Sequence, residues 1–216
     1  MSGAANLYRC SPRQIRGFII DCLYAGLVPF VRSSPGMGKS SIMRSVSNEL
    51  GLHMIDHRVS TSEPTDATGL PHFVNGKARF APFDELFPLQ DAPVPVGKQG
   101  WMLFLDEFNS GNKSVEAAFY KLILDRMTGQ HPLHDQVVIT AAGNLDTDRA
   151  ITSPQSTAMV SRMVHLEMVL SHKEWMEDVA LKENYDSRII AYLSQFDSHL
   201  MDFKPDSKGV PFCCPR

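Results

Sequence analysis

The sequence lacks an excess of charge of either sign. Its 216 residues include 21 Lys and Arg against 24 Asp and Glu, which gives a formal net charge of −3. Such a chain has no overall field that would draw it to nucleic acid or to an anionic membrane. The balance therefore argues against both as partners, although it does not exclude a local basic patch.

Long hydrophobic runs are also missing. The longest apolar stretches, AGLVPFV and WMLFL, are far shorter than the roughly 20 residues that a membrane-spanning helix needs. The first residues, MSGAANLYRCSPRQ, lack the charged start and the apolar segment of a signal peptide. We therefore expect no contact with a membrane and a cytoplasmic location.

Cysteine is scarce, and its spacing points neither to a metal site nor to a disulfide. Cys10, Cys22, Cys213 and Cys214 form no CxxC motif and show no metal-ligand spacing with histidine. Neighbouring Cα atoms lie about 3.8 Å apart across a trans peptide, below the usual disulfide range, so Cys213 and Cys214 cannot readily pair. The pattern favours a reducing environment.

What the sequence does contain is an alternation of short apolar runs with longer segments of helical period. Its length suits one domain, or one domain with a small appendage. The alternation is typical of a parallel sheet built from βαβ units, and strands that are apolar throughout indicate a sheet covered on both faces. The predicted strands are Leu27–Arg32, Met54–Val59, Trp101–Leu105, Val137–Ala142 and Met163–Leu166.

Helices and a small hairpin complete the predicted α/β fold. Helical period covers Ser40–Leu50 and Lys113–Met127, whereas residues 60–100 hold too many Pro and Gly for a long helix. Within that stretch, Asn75–Gly76 separates two short aromatic-bearing arms. Because Asn-Gly favours the positive φ angles of a tight turn, we predict a projecting β-hairpin there. After Glu167 the chain is helical again, which predicts a smaller helical lobe.

The most specific motif is SSPGMGKS, residues 33–40, between the first predicted strand and the first predicted helix. A loop in this position directs backbone N–H groups at phosphate oxygens, helped by the positive end of the helix dipole. Its glycines allow close approach, Lys39 reaches the β- and γ-phosphates, and the Ser40 hydroxyl can ligate Mg²⁺. The candidate nucleotide-binding residues are Ser34, Pro35, Gly36, Met37, Gly38, Lys39, Ser40 and Ser41.

One residue of this loop departs from the usual pattern, which has glycine at the position of Ser33. If that position needs a left-handed backbone, serine costs roughly 1–2 kcal/mol, which is small beside the contacts of a bound triphosphate. The alternative interpretation of the whole motif is an ordinary turn with Lys39 at the start of a helix.

Polar residues at the ends of two later strands are the candidates for catalysis. Asp106 and Glu107 end the run WMLFL, where Asp106 would hold Mg²⁺ through water and Glu107 would polarise the water that attacks the γ-phosphate. Alone, such a pair is more often a solvated strand end. Asn144 follows VVITAAG, and its amide could orient the attacking water; the alternative is a turn-forming Gly-Asn pair.

Together these motifs resemble those of the AAA+ ATPases, and within them the MoxR-like group, from about Cys22 to Arg216. SPGMGKS resembles the Walker A motif, LFLDEFN the Walker B motif and AAGN sensor 1. TDATGLP with the NGK hairpin is similar to the helix-2 insert of this group. SPQSTAMVSRMVHLEM resembles the segment with the arginine finger, which by position is Arg162, and CCPR resembles the start of the sensor 2 motif, which makes Arg216 its candidate.

The resemblance implies a P-loop NTPase sheet flanked by helices, with a nucleotide-binding core over residues 1–167, a hairpin insert around 69–82 and the start of a helical lid at 168–216. It implies Mg²⁺-dependent ATP hydrolysis that remodels a protein client, often beside a partner with a von Willebrand A domain. An arginine finger acts on the neighbouring subunit, so the resemblance also implies a homo-oligomeric ring, usually a hexamer. Arg126 and Arg149 are weaker candidates for contacts between subunits.

Two other functions stay open at this stage. A nucleotide-gated binding module would bind ATP with little turnover, and Ser33 motivates this alternative. A DNA-directed AAA+ protein is a third candidate, against which the net charge of −3 and the lack of a basic cluster argue. The aromatic residues Phe73 and Phe80 could face a pore or a partner, or only pack the hairpin onto the sheet.

Overall fold

A computed structural model of the chain describes residues 8–83, 86–148, 160–205 and 211–215. A parallel sheet of six strands forms its centre. In chain order the strands are β1 (Tyr8–Cys10), β2 (Val28–Arg32), β3 (His53–Arg58), β4 (Leu70–Val74), β5 (Lys77–Ala81), β6 (Trp101–Asp106), β7 (Met127–Thr128), β8 (His131–Pro132), β9 (Val137–Gly143) and β10 (Met163–Met168). The helices are α1 (Pro12–Tyr24), α2 (Lys39–Glu49), α3 (Pro64–Thr68), α4 (Lys113–Asp125), α5 (His172–Trp175) and α6 (Ser187–Gln195).

The central sheet has the strand order β1-β10-β2-β9-β6-β3, and all of its neighbouring strands are parallel. The five predicted strands are confirmed, with ends that shift by one or two residues. Because the strands are parallel, their carboxyl ends meet at one edge of the sheet, and ligands of α/β proteins bind at that edge. This edge therefore collects the loops after β2, β6 and β9.

Alternation along the strands gives the sheet two buried faces. Phe30, Leu103 and Leu105 pack on one face with α4, whose Phe119 and Leu122 are fully buried. Side chains that are offset by one position along the strands, such as Val31 and Phe104, point the other way. They pack with α1 and α2 on the second face, together with Ile15, Ile19, Met43 and Val46.

Three features differ from the sequence-based prediction. β1 was not predicted, because its three residues YRC form no apolar run; it pairs with the end of β10 and so extends that strand to Met168. α1 was not predicted either, although Ser11 and Gln14 form a capping box at its start. The predicted helix over Lys113–Met127 ends at Asp125, because Arg126 is left-handed (φ 53°) and the chain then enters β7.

The predicted hairpin is confirmed. β4 and β5 are antiparallel, and the turn residues Asn75 and Gly76 have φ angles of 52° and 74°. Phe73 near the tip is 81% exposed, whereas Phe80 is 40% exposed and its carbonyl oxygen accepts a hydrogen bond from His131 Nε2. The two aromatic residues of the hairpin therefore differ: Phe80 lies near the body of the protein, and Phe73 projects from it.

The segment after β10 is helical and has a small apolar cluster of its own. Trp175, Ala180, Leu193 and Leu200 are its buried members. Helix α5 continues as a π-helical turn over Met176–Ala180. Across the part of the chain that is described, no helix is both long enough and apolar enough to cross a membrane.

Candidate nucleotide-binding site

The loop that connects β2 to α2 opens onto the carboxyl edge of the sheet. Gly36 and Gly38 have φ angles of 78° and 82°, a conformation that glycine adopts without a steric penalty. Gly38 is the N-cap of α2, so the backbone N–H groups at the start of that helix point into the loop. A cleft of about 260 Å³ lies over it and is lined by residues 35–41, Arg58, Asp106, Glu107 and Asn144.

Lys39 is the cation at the centre of this cleft. Its Nζ donates hydrogen bonds to the carbonyl oxygens of Ser33 (3.0 Å) and Ser34 (3.3 Å) and to Asn144 Oδ1 (3.3 Å). Burial lowers the pKa of Lys39 to about 8, while the carboxylates of Asp106, Asp148 and Glu107 oppose that shift. The amine therefore lies in the cleft where an anionic group can reach it, and a bound phosphate would stabilise its charged form.

Ser33 carries no left-handed strain. Its φ is not among the positive values, and its side chain is fully buried. The Ser33 hydroxyl oxygen accepts a hydrogen bond from Lys39 Nζ at 3.2 Å. Serine in place of glycine therefore carries no cost from a left-handed backbone. Its hydroxyl instead adds a hydrogen-bond acceptor for Lys39.

Ser40 and Asp106 place hard oxygen donors side by side in the cleft. The Ser40 hydroxyl donates to Asp106 Oδ2 at 3.3 Å, and Asp106 Oδ1 accepts from the backbone N–H of Glu107 at 2.8 Å. Oxygen donors of this kind suit Mg²⁺, which usually takes one or two protein ligands together with phosphates and water. Among the described residues no group of three or more His, Cys, Asp or Glu could hold a metal by itself. The donor set therefore fits a magnesium ion that is shared with a bound triphosphate.

Glu107 follows β6 in a left-handed conformation, with φ 52° and ψ 37°. This turn sends its carboxylate towards the end of β3 rather than along the strand. There the carboxylate accepts a hydrogen bond from the Ser60 hydroxyl, and it lies 4.0 Å from Arg58 Nε. The candidate base therefore has partners that hold it at the side of the cleft.

Asn144 is held by its backbone as well as by its side chain. Asn109 Nδ2 donates to the Asn144 carbonyl oxygen at 2.8 Å, and Asn109 Oδ1 accepts from the Asn144 N–H at 3.1 Å. Gly143 allows this contact, since a Cβ at that position would overlap Asn109 Oδ1. Asn144 therefore connects the end of β9 to Lys39 on one side and to the turn after β6 on the other.

The candidate arginines lie away from this cleft or outside the described residues. Arg162 is exposed and immediately precedes Met163, which pairs with Val28 at the start of β2. The loop between β2 and α2 (residues 33–38), called the phosphate loop from here on, follows the other end of β2. The two ends of this five-residue strand lie roughly 13 Å apart at about 3.3 Å per residue. Arg126 donates to the carbonyl oxygens of His134 and Val137 of its own chain, so its guanidinium is already used inside the subunit. Arg149 and Arg216 lie outside the described residues.

An apolar cavity of about 180 Å³ adjoins the phosphate loop on the side of the helical segment. The loop side of its wall is formed by Met37, Gly38, Ser41 and Ile42, and the opposite side includes Pro12, Leu170, Trp175 and Tyr185. Its wall is mostly apolar, although the carboxylates Glu174, Asp178 and Glu183 also line it, and its size suits a flat base. A larger cavity of about 750 Å³ lies between α6 and the C-terminal segment, and none of the described candidate site residues lines it.

The C-terminal segment 211–215 packs directly on the phosphate loop. A Cβ on Gly36 would lie 2.6 Å from both Cβ and Sγ of Cys214. The segment is anchored by the Trp175 indole, whose Nε1 donates to the Pro215 carbonyl oxygen at 2.8 Å, and by the Asp202 N–H, which donates to the Cys213 carbonyl oxygen at 3.0 Å. The loop therefore has the helical segment as its direct neighbour.

Sequence reasoning missed several residues that the fold brings to the site. Ser60 and Arg58 come from the end of β3, Asn109 from the turn after β6, and Asp148 from the turn after β9. Burial raises the pKa of Asp148, while a hydrogen bond with Ser34 and the charge of Lys39 lower it. Only Asn109 had a signal in the sequence, since it lies inside LFLDEFN; the others follow from the strand order, which places the ends of β3 and β9 beside the loop.

Comparison with solved structures shows what this fold is similar to. RuvB from Thermotoga maritima, in a mutant form, matches with a TM-score of 0.50 and 16% identity over 79% of this chain and 50% of that chain. A hypothesised ATPase from Cytophaga hutchinsonii matches with a TM-score of 0.45 and 16% identity over 90% of this chain and 51% of that chain. The chain thus spans about half the length of both. No protein-family model matches the sequence, and a search of curated proteins gives no match.

The likeness to RuvB establishes the fold. The six-stranded parallel sheet with helices on both faces is similar to the fold of RuvB, which confirms the predicted fold class, a P-loop NTPase sheet flanked by helices. The MoxR-like subgroup and the roles of individual residues stay predictions.

Proposed function

We propose that this protein is an Mg²⁺-dependent ATPase. The observation that carries the proposal is the convergence of Lys39, Ser40, Asp106, Glu107 and Asn144, from the ends of three neighbouring strands, on one cleft. A buried lysine on a phosphate loop, two oxygen donors for a cation, a carboxylate and an amide are the parts that phosphoryl transfer to water requires.

Binding is assigned to the loop and to the apolar cavity beside it. The backbone N–H groups of residues 36–41 and the Lys39 ammonium would hold the phosphates, and the cavity next to Met37 and Ile42 would hold the base. Ser40 and Asp106 would hold Mg²⁺, which supplies charge neutralisation on the phosphate oxygens. Without nucleotide, Lys39 Nζ bonds to neutral carbonyl oxygens of the loop. When ATP binds, these bonds would be replaced by bonds to phosphate oxygens, and binding is favoured because the ammonium group then pairs with an anion.

Glu107 and Asn144 would act on the attacking water. The Glu107 carboxylate would take a proton from the attacking water. The Asn144 Oδ1 would orient the same water by accepting a hydrogen bond from its other O–H. Both groups have other partners at present: Ser60 for Glu107 and Lys39 for Asn144. A bound triphosphate competes for Lys39 and so would release the Asn144 side chain towards the water.

Arg162 is proposed as a finger that acts on a neighbouring subunit. Its position at the amino end of β10 prevents it from reaching the phosphate loop of its own chain. Each subunit would supply its finger at one end of the sheet and its phosphate loop at the other, so neighbouring subunits must contact each other head to tail. We therefore propose a homo-oligomeric ring, with a hexamer as the expected size.

The finer features follow the resemblance to MoxR-like proteins. We propose a nucleotide-binding core over residues 1–167 with the hairpin insert around 69–82, and a helical lid that starts at 168 and includes Arg216 as the sensor 2 residue. The ATPase would act in the cytoplasm as a chaperone-like machine that remodels a protein client, with a von Willebrand A domain partner. The exposed Phe73 of the hairpin is the surface residue that best suits contact with such a client.

The nucleotide-gated module is the less favoured alternative. Its motivation is Ser33, but this residue carries no left-handed strain, and its hydroxyl oxygen accepts a hydrogen bond from Lys39 Nζ. The remaining difference between the two functions is turnover, and a single variant separates them.

Glu107→Gln tests the proposal. We expect ATP turnover to fall about 10²- to 10⁴-fold, the usual contribution of a general base, while the Kd for ATP stays within about threefold. Glu49→Gln is the matched control, because this exposed carboxylate at the end of α2 pairs with Arg16 and lies outside the cleft. Measurement of phosphate release and of binding of a fluorescent ATP analogue checks both values. Equal turnover of wild type and Glu107→Gln would refute the proposed hydrolytic role.

A further inference from the structure

The side chain of Asn109 makes a two-point contact with the backbone of Asn144. One end of the amide donates to the Asn144 carbonyl oxygen and the other accepts from the Asn144 N–H, at 2.8 and 3.1 Å. The backbone of one residue offers one N–H donor and one carbonyl acceptor, so both bonds form in one orientation of the Asn109 amide only. Asn109 therefore fixes the position and the rotation of the residue after β9, as a neighbouring strand would.

Several local features make this contact possible. The left-handed turn at Glu107 ends β6, and the following 3₁₀ turn over Phe108–Ser110 directs Asn109 back to the end of β9. Asn109 is only 4% exposed, so water does not compete for its amide. Gly143 leaves the space that the Asn109 amide fills, since any Cβ there would overlap it. The buried Asn109 amide thus fills a space that only glycine at position 143 leaves open, which makes this a specific contact and not an incidental one at the surface.

The contact joins the two proposed catalytic groups. Glu107 lies two residues before Asn109 on the same turn, and Asn144 Oδ1 accepts from Lys39 Nζ at 3.3 Å. β9 stays paired with β6 up to Ala141 and with β2 up to Gly143, so loss of the contact would let only Asn144 and the residues after it move relative to the turn after β6. The water-orienting amide would then shift relative to the carboxylate and the lysine.

We propose that Asn109 is a positioning residue, which acts through Asn144 and holds it at the distance from Glu107 and Lys39 that hydrolysis needs. The inference rests on the proposed ATPase function. It predicts that removal of the Asn109 amide lowers kcat about 10- to 100-fold, because misplacement of a reacting group by about 1 Å has that effect, and that it changes KM by less than about threefold.

A fold-stabilising role alone would also lower activity, so the test needs a control of similar cost to stability. Asn112 provides it: its Oδ1 accepts from the Val115 N–H at 3.0 Å and caps α4, three residues from Asn109, without contact to Asn144. Asn112→Ala should lower the thermal midpoint as Asn109→Ala does, yet leave kcat at the wild-type value.

The decisive experiment is a double-mutant cycle that combines Asn109→Ala with Asn144→Ala. If Asn109 acts through Asn144, its replacement has an effect of less than about twofold on kcat once Asn144 is alanine, against at least tenfold in the wild-type background. Equal fold-changes in both backgrounds, or the same loss of kcat in Asn112→Ala, would overturn the proposal.

Hydrogen exchange separates failure of this inference from failure of the proposed function. We expect the amides at 143–145 of wild type to exchange more slowly with ATP than with ADP, and those of Asn109→Ala to exchange at one fast rate with either. If wild type binds ATP without turnover, the ATPase proposal is refuted, and the nucleotide-dependent difference would then show only that Asn109 holds the backbone of Asn144. Wild-type exchange that is identical with ATP and ADP in such a protein would refute both.

Discussion

At the scale of single residues, Lys39 determines how the site responds to pH. When no nucleotide is bound, burial lowers the pKa of the Lys39 amine to about 8, so the amine is mostly charged below pH 8 and mostly neutral above it. A bound phosphate stabilises the charged form, so ATP binding and protonation of Lys39 favour each other. The affinity for ATP should therefore be highest below pH 8 and fall as the pH rises through that value.

We predict that the Kd for ATP increases roughly tenfold between pH 7 and pH 9, since about one amine in ten is charged one unit above its pKa. Equilibrium titration with a fluorescent ATP analogue at constant ionic strength checks this value. Lys39→Arg is the control, because a guanidinium stays charged across the whole range and its profile should be flat even if binding is weaker. A Kd that is the same at both pH values in wild type would contradict the prediction.

At the scale of elements, the Trp175 indole is one of two anchors that hold the C-terminal segment against the phosphate loop, beside the Asp202 N–H. Trp175 Nε1 donates to the Pro215 carbonyl oxygen, and this places Cys214 against Gly36. Trp175→Phe keeps most of the ring packing and removes only the donor, which costs about 1 kcal/mol. The segment should then leave the loop more often, and the Cys214 thiol should be more accessible.

We expect alkylation of Cys214 by iodoacetamide to be about fivefold faster in Trp175→Phe, as about 1 kcal/mol implies. Cys10 in β1 and Cys22 in α1 serve as internal controls, because both are buried and should react as slowly as in wild type. Mass spectrometry of the Cys213→Ser background assigns the label to one thiol. An unchanged rate at Cys214 would show that other contacts hold the segment.

The elements also show how far the sequence predicts this fold. Continuous apolar runs such as WMLFL predict buried parallel strands because period and composition agree, and Asn75–Gly76 predicts a hairpin because its turn needs positive φ angles. β1 could not be predicted, because a strand of three residues at the edge of a sheet owes its existence to pairing with β10. Local patterns contain no information on such a partner more than 150 residues away.

The candidate site divides in the same way. Lys39, Ser40, Asp106 and Asn144 follow from motifs that each lie at the end of a predicted strand, and the fold brings them together. The contact between Asn109 and Asn144 depends on the left-handed turn at Glu107, which no residue type in that turn demands. Ser33 appeared costly only because the usual pattern has glycine there.

At the scale of the whole molecule, the sheet has two different ends. The phosphate loop, the acidic pair and Asn144 lie at the carboxyl ends of the strands, whereas Arg162 lies at the amino end of β10. If Arg162 completes the site of a neighbour, variants that lack one part each should complement one another when they are mixed.

We predict that Lys39→Ala and Arg162→Ala are each inactive and that an equal mixture recovers about one quarter of wild-type activity, the fraction of head-to-tail contacts that join an intact loop to an intact finger at random. Phosphate release at several total protein concentrations checks this value, because specific activity should also rise with concentration. A mixture of Lys39→Ala with Glu107→Gln is the control and should stay inactive, since both changes affect the same side of the contact. A mixture of the first pair that stays inactive would contradict a finger in trans.

The separation of Arg162 from its own loop has a consequence for incomplete assemblies. Subunits that contact each other head to tail form as many interfaces as there are subunits only when the chain of subunits closes on itself. An open arc always ends in one subunit whose loop faces solvent and one whose arginine does. If Arg162 is the proposed finger, ATP at the terminal loop of such an arc would be bound but not hydrolysed, while each internal contact would turn over. Closure would therefore convert the one idle site into a working one and leave no subunit with permanently bound ATP.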